Sequence, residues 1–274
     1  MLPDYFTGDR DALEQVSKQR HQTALLSEQA VLCRVLGRYI FYADPADIGI
    51  TPHLCLDGYW ESWITVALAR IIEPGWHCID VGANHGYYSV IMADAVEAAG
   101  LVLAIEPNPL LAERIALSLE VNGFRNRATV LQRAVSDEGS RKVNLVVPRN
   151  RSMDATLCRE ATAADDVIEV ETVTLDQVTE AWPRVDLVKI DAEGAELAIW
   201  NGMRGVIERN PQLTIIMEMR CSRYPNPSAF VRGIRNAGFP LRHIAYDGTI
   251  EGLTEAQLLN DRVDEDWMLF LRRD

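Results

Sequence analysis

From about residue 75 onward, short apolar runs alternate with amphipathic stretches. Leu101–Ile105, Leu187–Ile190 and Leu213–Met217 are too short for helices, and each is followed by an acid: Glu106, Asp191 and Glu218. Between such runs, Leu110 to Asn122 (ended by Gly123) and Pro225 to Gly238 carry helical spacing. That alternation predicts a parallel sheet with helices on both faces. Leu241 to Tyr246 and Trp267 to Leu271 predict a closing antiparallel pair. The beginning of the chain differs. From Asp9 to about Tyr42, Leu13, Val16, Leu25, Leu26, Val31, Leu32, Val35 and Leu36 recur at a spacing that predicts helix. Ala43 to Gly58 predicts loop, and Tyr59 to Ile72 a helix with a Trp60, Trp63, Ile64, Ala67 and Ile71 stripe, ended by Pro74 and Gly75. The division is therefore a helical extension or lid over 1–74 and an α/β domain over 75–274.

Chemistry enters at Cys78–Ser89, where a strand runs into a turn and then a helix. Gly82 and Gly86 permit unusual dihedrals, and Asn84 between them is among the few other residues that tolerate a left-handed backbone. Amides at the helix start would face a ligand. The pattern Asp-x-Gly-x-Asn-x-Gly, beginning at Asp80, departs from the Gly-x-Gly-x-x-Gly dinucleotide fingerprint. It resembles the first motif of class I S-adenosylmethionine-dependent methyltransferases, with Asn84 in place of the middle glycine. Taken alone, it is better read as a tight structural turn of some α/β protein.

Acids at strand ends add to it. Glu106 lies 20 residues beyond Gly86, where a doubly wound fold uses a carboxylate to hold ribose hydroxyls. In the same ordering, Ala134 and Val135 border an adenine. Val185 to Glu196 crowds Asp191, Glu193 and Glu196 at the carboxyl end of another strand, where ligands bind in open α/β sheets. Helix-start preferences explain Glu193 and Glu196, but not Asp191. Glu61, at the start of its helix, is open to either a dipole role or ligand contact. Val143–Val147 and Val167–Val173 read as strands, and the polar stretch between them is expected to reach substrate or cofactor at Asn150–Leu157, with disorder as the alternative.

Four segments together carry a more specific resemblance: Ile-Asp-Val-Gly-Ala-Asn-x-Gly at 79–86, Glu-Pro-Asn at 106–108, Val-Thr-Leu-Asp at 173–176 and Lys-Ile-Asp-x-Glu-Gly-Ala-Glu at 189–196. In this order they resemble the FkbM family of methyltransferases over roughly residues 75–220, with Ala192 where the family commonly has valine. The resemblance implies a Rossmann-like, seven-stranded class I methyltransferase sheet and an enzyme that methylates a hydroxyl of a sugar, polysaccharide or other small metabolite. It implies S-adenosylmethionine held by Asp80, Gly82, Asn84, Gly86, Glu106, Asn108, Ala134, Val135 and Asp191, with Glu61 nearby. Asp191 and Glu193 are then the catalytic candidates, Asp191 as a base, an orienting group or, with Glu218, a ligand to a divalent metal. His85 is a substrate-side candidate only.

Bulk properties narrow the partners. A formal net charge of −13 opposes nonspecific attraction to nucleic acid or anionic membrane. No apolar run approaches the length of a membrane span, and the acidic, polar start is unlike a signal peptide. Five scattered cysteines, Cys33, Cys55, Cys78, Cys158 and Cys221, lack zinc-site spacing and suggest reduced thiols in a cytoplasmic protein. The expected partners are a small molecule or glycan, with a second copy of the chain through the N-terminal helices. An NAD(P)-dependent oxidoreductase and a noncatalytic cofactor-binding subunit are the alternatives.

Overall fold

Each apolar run alternates between two cores. Cys78, Val102 and Leu187 face one buried cluster, while their neighbours Ile79, Leu103 and Val188 face another on the opposite side of the sheet. The computed structural model that shows this describes residues 2–157 and 159–274, so Cys158 lies outside the described residues. In chain order the strands are β1 (Gln22–Ser27), β2 (Ala30–Val35), β3 (Tyr39–Ala43), β4 (His77–Val81), β5 (Leu101–Ile105), β6 (Ala128–Leu131), β7 (Ala134–Val135), β8 (Lys142–Pro148), β9 (Asp165–Val173), β10 (Leu187–Ile190), β11 (Thr214–Met219), β12 (Arg242–Ile244), β13 (Ile250–Gly252) and β14 (Trp267–Arg272). The helices that matter to the site are α1 (Asp4–Thr7), α2 (Arg10–Arg20), α3 (Thr51–Leu56), α4 (Ser62–Ile71), α5 (Tyr87–Ala95) and α6 (Pro109–Val121).

The central sheet has the order β13-β12-β14-β11-β10-β4-β5-β6. Strands β4, β5, β6, β10 and β11 are parallel, and β14 runs antiparallel to β11 and β12. This is the doubly wound, Rossmann-like sheet expected. Among the described residues it has eight strands rather than seven, the addition being the short edge strand β13 paired to β12. The apolar segment over 128–135 forms two strands, because β7 leaves the central sheet and pairs with β9. Strands β8 and β9 form a long antiparallel arm. Among the described residues no helix is long and apolar enough to cross a membrane.

The N-terminal segment departs most from expectation. The helix predicted over Asp9–Tyr42 ends at Arg20, and the remainder folds into the antiparallel sheet β1-β2-β3. Val31, Cys33 and Val35 alternate with more exposed residues along β2, as Tyr39, Phe41 and Ala43 do along β3, which is a period of two. Leu32 and Leu36 between them imitated a helical stripe. The turn at Leu36 and Gly37 has both φ angles positive, at 54° and 63°, which suits a tight hairpin. Leu25 and Leu26 on β1 are exposed rather than part of a helical core face.

Strand β3 would present an unpaired edge, but α6 closes it with side chains. Asn122, just beyond α6, donates through Nδ2 to the Ile40 carbonyl at 2.7 Å and accepts the Ile40 amide at 3.0 Å, and Ser118 Oγ accepts the Tyr42 amide at 3.0 Å. Truncating Asn122 leaves both Ile40 backbone groups without partners. Asn122→Ala should therefore lower unfolding free energy by about 1–3 kcal/mol, measured by chemical denaturation. Leu25→Ala on the exposed β1 should change it by less than about 0.5 kcal/mol.

Candidate active site

Strands β5 and β6 lie on one side of β4, and β10 and β11 on the other, so the order reverses between β4 and β10. Such a switch point opens a crevice at the carboxyl ends of the strands. Here the two strand ends touch. The Asp191 amide donates to the Val81 carbonyl at 3.1 Å, and a Cβ on Gly82 would lie 1.8 Å from the Asp191 carbonyl oxygen. Gly82 also has a φ of 72°, so position 82 requires glycine twice over. The turn then continues through Asn84, at φ 52°, whose amide donates to Glu106 Oε2 at 2.8 Å. Gly86 starts α5, where a Cβ would press on Ile115 at 2.9 Å.

Above these strand ends lies a cavity of about 620 Å³. One wall is the turn Gly82–His85 with Glu106, Ala134 and Val135, and another is Trp60, Glu61 and Tyr88. Asp191, Glu193, Glu218 and Arg223 form a further, acidic end, and residues 151–157 also line the space. Of the expected site residues, Glu61, Gly82, Asn84, Glu106, Ala134, Val135, Asp191, Glu193 and Glu218 thus face one space. Asp80, Gly86 and Asn108 are not among its lining. Asp80 is wholly buried behind it, where its Oδ2 accepts from Ser89 Oγ at 2.6 Å. Asn108 is turned into the start of α6, accepting the Leu110 amide at 3.1 Å. Their contribution is to the frame.

The electrostatics centre on Lys189, only 1% exposed. Register places it beside Asp80 across β4 and β10, its Nζ is 3.1 Å from Asp191 Oδ2, and it sits 4.5 Å from the Tyr88 ring centroid. Burial opposes its charge, but Asp191, Asp80 and Glu61 outweigh that and hold its pKa above the ordinary value. Burial pushes the Glu61 carboxyl up to about 7, with Asp191 adding repulsion, even though Tyr88 donates to Glu61 Oε2 at 2.6 Å. Glu106 is likewise raised to about 7 by burial, against two amides, Asn84 and Asn108, that favour its charged form. Asp80 is also raised by burial, with Lys189 opposing.

At the acidic end Asp191, Glu193 and Glu218 each offer an oxygen within 4.8 Å of the others. Arg223 already lies among them, with one nitrogen 2.6 Å from Glu193 and another 2.6 Å from Glu218. Burial pushes Glu193 up to about 7, and burial with Asp191 and Asp266 nearby raises Glu218, while Arg223 opposes both shifts. The guanidinium between two of the carboxylates and Lys189 on the third supply the counter-charge that a divalent ion would otherwise bring. Glu193 is not held by a helix start. Glu196 is, because its Oε1 accepts the Ala192 and Gly194 amides at 3.1 Å each.

His85 is fully buried, with Nδ1 2.7 Å from Asn84 Oδ1 and Nε2 3.3 Å from Thr51 Oγ1. Burial lowers its pKa to about 4. Both ring nitrogens are engaged, so it braces the turn and is not a free base. Sequence reasoning missed Tyr88, Trp60, Lys189 and Arg223. Lys189 stood inside a recognised motif, and its place beside Asp80 followed from pairing the two strands; Arg223 gave no signal.

Residues 80–241, more than half of the chain, match the family described as the methyltransferase FkbM domain, and the chain belongs to that family. A protein-L-isoaspartate O-methyltransferase of Aeropyrum pernix is 38% identical over 79 residues, 29% of each chain, so the match spans under a third of that relative. Among solved structures, methyltransferase FkbM from Methylobacillus flagellatus is 16% identical with a TM-score of 0.44, covering 72% of this chain and 43% of that one. A methyltransferase from Geobacter sulfurreducens is 15% identical with a TM-score of 0.43, covering 85% and 90%.

The contact at Gly82 yields a direct test. Gly123 also has a positive φ of 77°, but a Cβ there meets nothing within 4 Å. Gly123→Ala should cost about 1–2 kcal/mol, the backbone penalty alone, and Gly82→Ala should cost more than about 3 kcal/mol because the strand ends must separate. Chemical denaturation of the two variants gives the difference.

Proposed function

We propose that this member of the FkbM family binds S-adenosylmethionine in the cavity at the strand ends and methylates a hydroxyl oxygen of a sugar, polysaccharide or other small metabolite. The observation that carries this is the convergence of the Gly82–Asn84 turn, Glu106 and Asp191 on one cavity. Each Glu106 oxygen accepts one amide, from Asn84 or Asn108, and retains a further acceptor site for a ribose hydroxyl. Ala134 and Val135 offer an apolar surface to a base, and Glu61 with Tyr88 faces the opposite wall.

The cofactor supplies a methyl group on a positively charged sulfonium. The chain's own residues then have two tasks, to align an acceptor oxygen with that methyl and to take its proton. We assign both to Asp191, which lies at the strand end beside the glycine turn, with Lys189 as its counter-charge and a quarter of its side chain exposed (26%). Glu193 is committed to Arg223, so we assign it to shaping the acceptor end. The carboxylates there are paired with Lys189 and Arg223, and their remaining oxygens can accept from the hydroxyls of an uncharged polyhydroxyl acceptor. The scheme invokes no metal, because Lys189 and Arg223 already supply the counter-charge at these carboxylates.

Calorimetry tests the assignment. S-adenosylhomocysteine should bind in the micromolar range and NAD should not; the reverse result would overturn it. Asp191→Asn should keep S-adenosylhomocysteine affinity within a few-fold and lower kcat by about 10²–10⁴, while unchanged turnover would remove Asp191 from the mechanism. Glu61 gives a pH dependence. With its pKa raised to about 7, it is neutral below that value and negative above it, so a sulfonium gains attraction as pH rises. Affinity for S-adenosylmethionine relative to the uncharged-sulfur product should increase between about pH 6 and about pH 8, and Glu61→Gln should reduce the increase without abolishing it, because Glu106 and Glu193 ionise over the same range.

A further inference from the structure

Cys33 and Cys55 are 22 residues apart in the chain, yet the fold brings their sulfurs to 3.1 Å. Cys33 is on β2 and wholly buried; Cys55 is on α3 and half-buried. One polar contact and one strand pairing define the setting of the pair. The Thr23 hydroxyl on β1 donates to the Cys55 carbonyl at 3.0 Å, and Thr23 is the cross-strand partner of Cys33. The pair is thus clamped from both the sheet and the helix. The remaining described cysteines, Cys78 and Cys221, are buried elsewhere, in the two faces of the central sheet.

We infer that Cys33 and Cys55 are a site of reversible oxidation, in which Cys55 reacts with a peroxide and Cys33 resolves the product as a disulfide. Geometry assigns the roles, since Cys55 is the half-buried residue of the pair and Cys33 is wholly buried. Charge supports the same assignment. The hydrogen bond from the Cys33 thiol lowers the Cys55 pKa to about 7, with the Thr23 hydroxyl and His21 assisting, and that same bond and burial raise Cys33. In the first step the Cys55 thiolate attacks a peroxide oxygen, the O–O bond breaks, and water leaves with a proton from solvent, giving a sulfenic acid. In the second, the Cys33 sulfur attacks that of Cys55, the S–O bond breaks, and a second water leaves with the Cys33 proton. The two thiols lose two electrons together and the peroxide becomes two waters. The sulfurs need to close by about 1 Å, a small movement of a short helix.

The location gives the link a bearing on the cavity. The segment after α3 continues directly to Trp60 and Glu61, and the residues at its start contact the site, Ile50 in the cavity lining and Thr51 against His85. A disulfide would fasten this wall to β2.

The test treats the full-length, reduced protein with hydrogen peroxide, counts thiols under denaturing conditions and maps peptides without reduction. The chain has five cysteines, so the expected result is a fall from five thiols to three, with one linked peptide pair joining Cys33 to Cys55 that dithiothreitol separates. Cys33→Ser should halt at a sulfenic acid on Cys55 that dimedone captures. Five retained thiols, a link between other cysteines, or passage of wild-type Cys55 to sulfinic acid without a link would overturn the inference. Should Cys33→Ser fail to fold, the wild-type peptide map decides alone.

Discussion

A backbone contact sets the geometry of this molecule. Glycine at position 82 lets the end of β4 lie against the carbonyl of Asp191 at the end of β10, and no side chain is tolerated between them. Two segments more than a hundred residues apart in the chain thereby share one point in space. One contributes a left-handed turn that lines the cavity, the other the carboxylate of Asp191 and the acidic residues near it. Because β4 and β10 are also paired in register, their side chains are fixed as well, and Asp80 must sit beside Lys189.

That juxtaposition determines the charge pattern. A buried lysine is tolerated only with carboxylates around it, and Asp80, Asp191 and Glu61 supply them from three different elements, with the Tyr88 ring covering a further side. The backbone stores strain in the same region. Glu61, Asn84 and Glu193 all have positive φ, at 35°, 52° and 49°, and all line the cavity. Each such residue costs about 1–2 kcal/mol in isolation. Their surroundings hold them through the Tyr88 and Arg223 contacts to the two glutamates and the His85 and Glu106 contacts to Asn84. Strain gathered around one cavity is the pattern of a site whose parts must be rigid before a ligand arrives.

The central strands were legible because burial on both faces writes itself as an apolar run, and β5 and β10 begin and end where the pattern does. The acids at strand ends were legible for the same reason, since a charge that closes such a run has few structural excuses. What stayed hidden was contact between distant elements. The alternation of β2 and β3 was masked by Leu32 and Leu36, and only the packing against α6 resolves the period. Nothing in the chain announces that Arg223 reaches both Glu193 and Glu218, so Asp191 and Glu218 read as a pair of acids without their counter-charges, Lys189 and Arg223. His85, beside the glycine turn, looked available, yet it is turned inward against Thr51.

The same contacts bear on where the catalytic unit begins. A boundary at residue 75 is natural in sequence, because Pro74 and Gly75 end a helix just before the first central strand. In space it cuts through the site. Glu61 is bonded to Tyr88 at 2.6 Å, Thr51 lies 3.3 Å from His85, and Tyr39 donates to Asp94 at 2.8 Å, so three N-terminal elements are tied to the turn and helix that follow β4. Removing residues before 75 would take away Trp60 and Glu61, open one wall of the cavity to water, and leave the edge groups of α6 and the buried Asp94 without partners. Screening by water weakens attraction between fixed carboxylates and a bound cation, so the wall acts on affinity even where it touches nothing. The N-terminal segment is therefore part of the site's construction, and its sheet, rather than a helical lid, is what presses that wall into place.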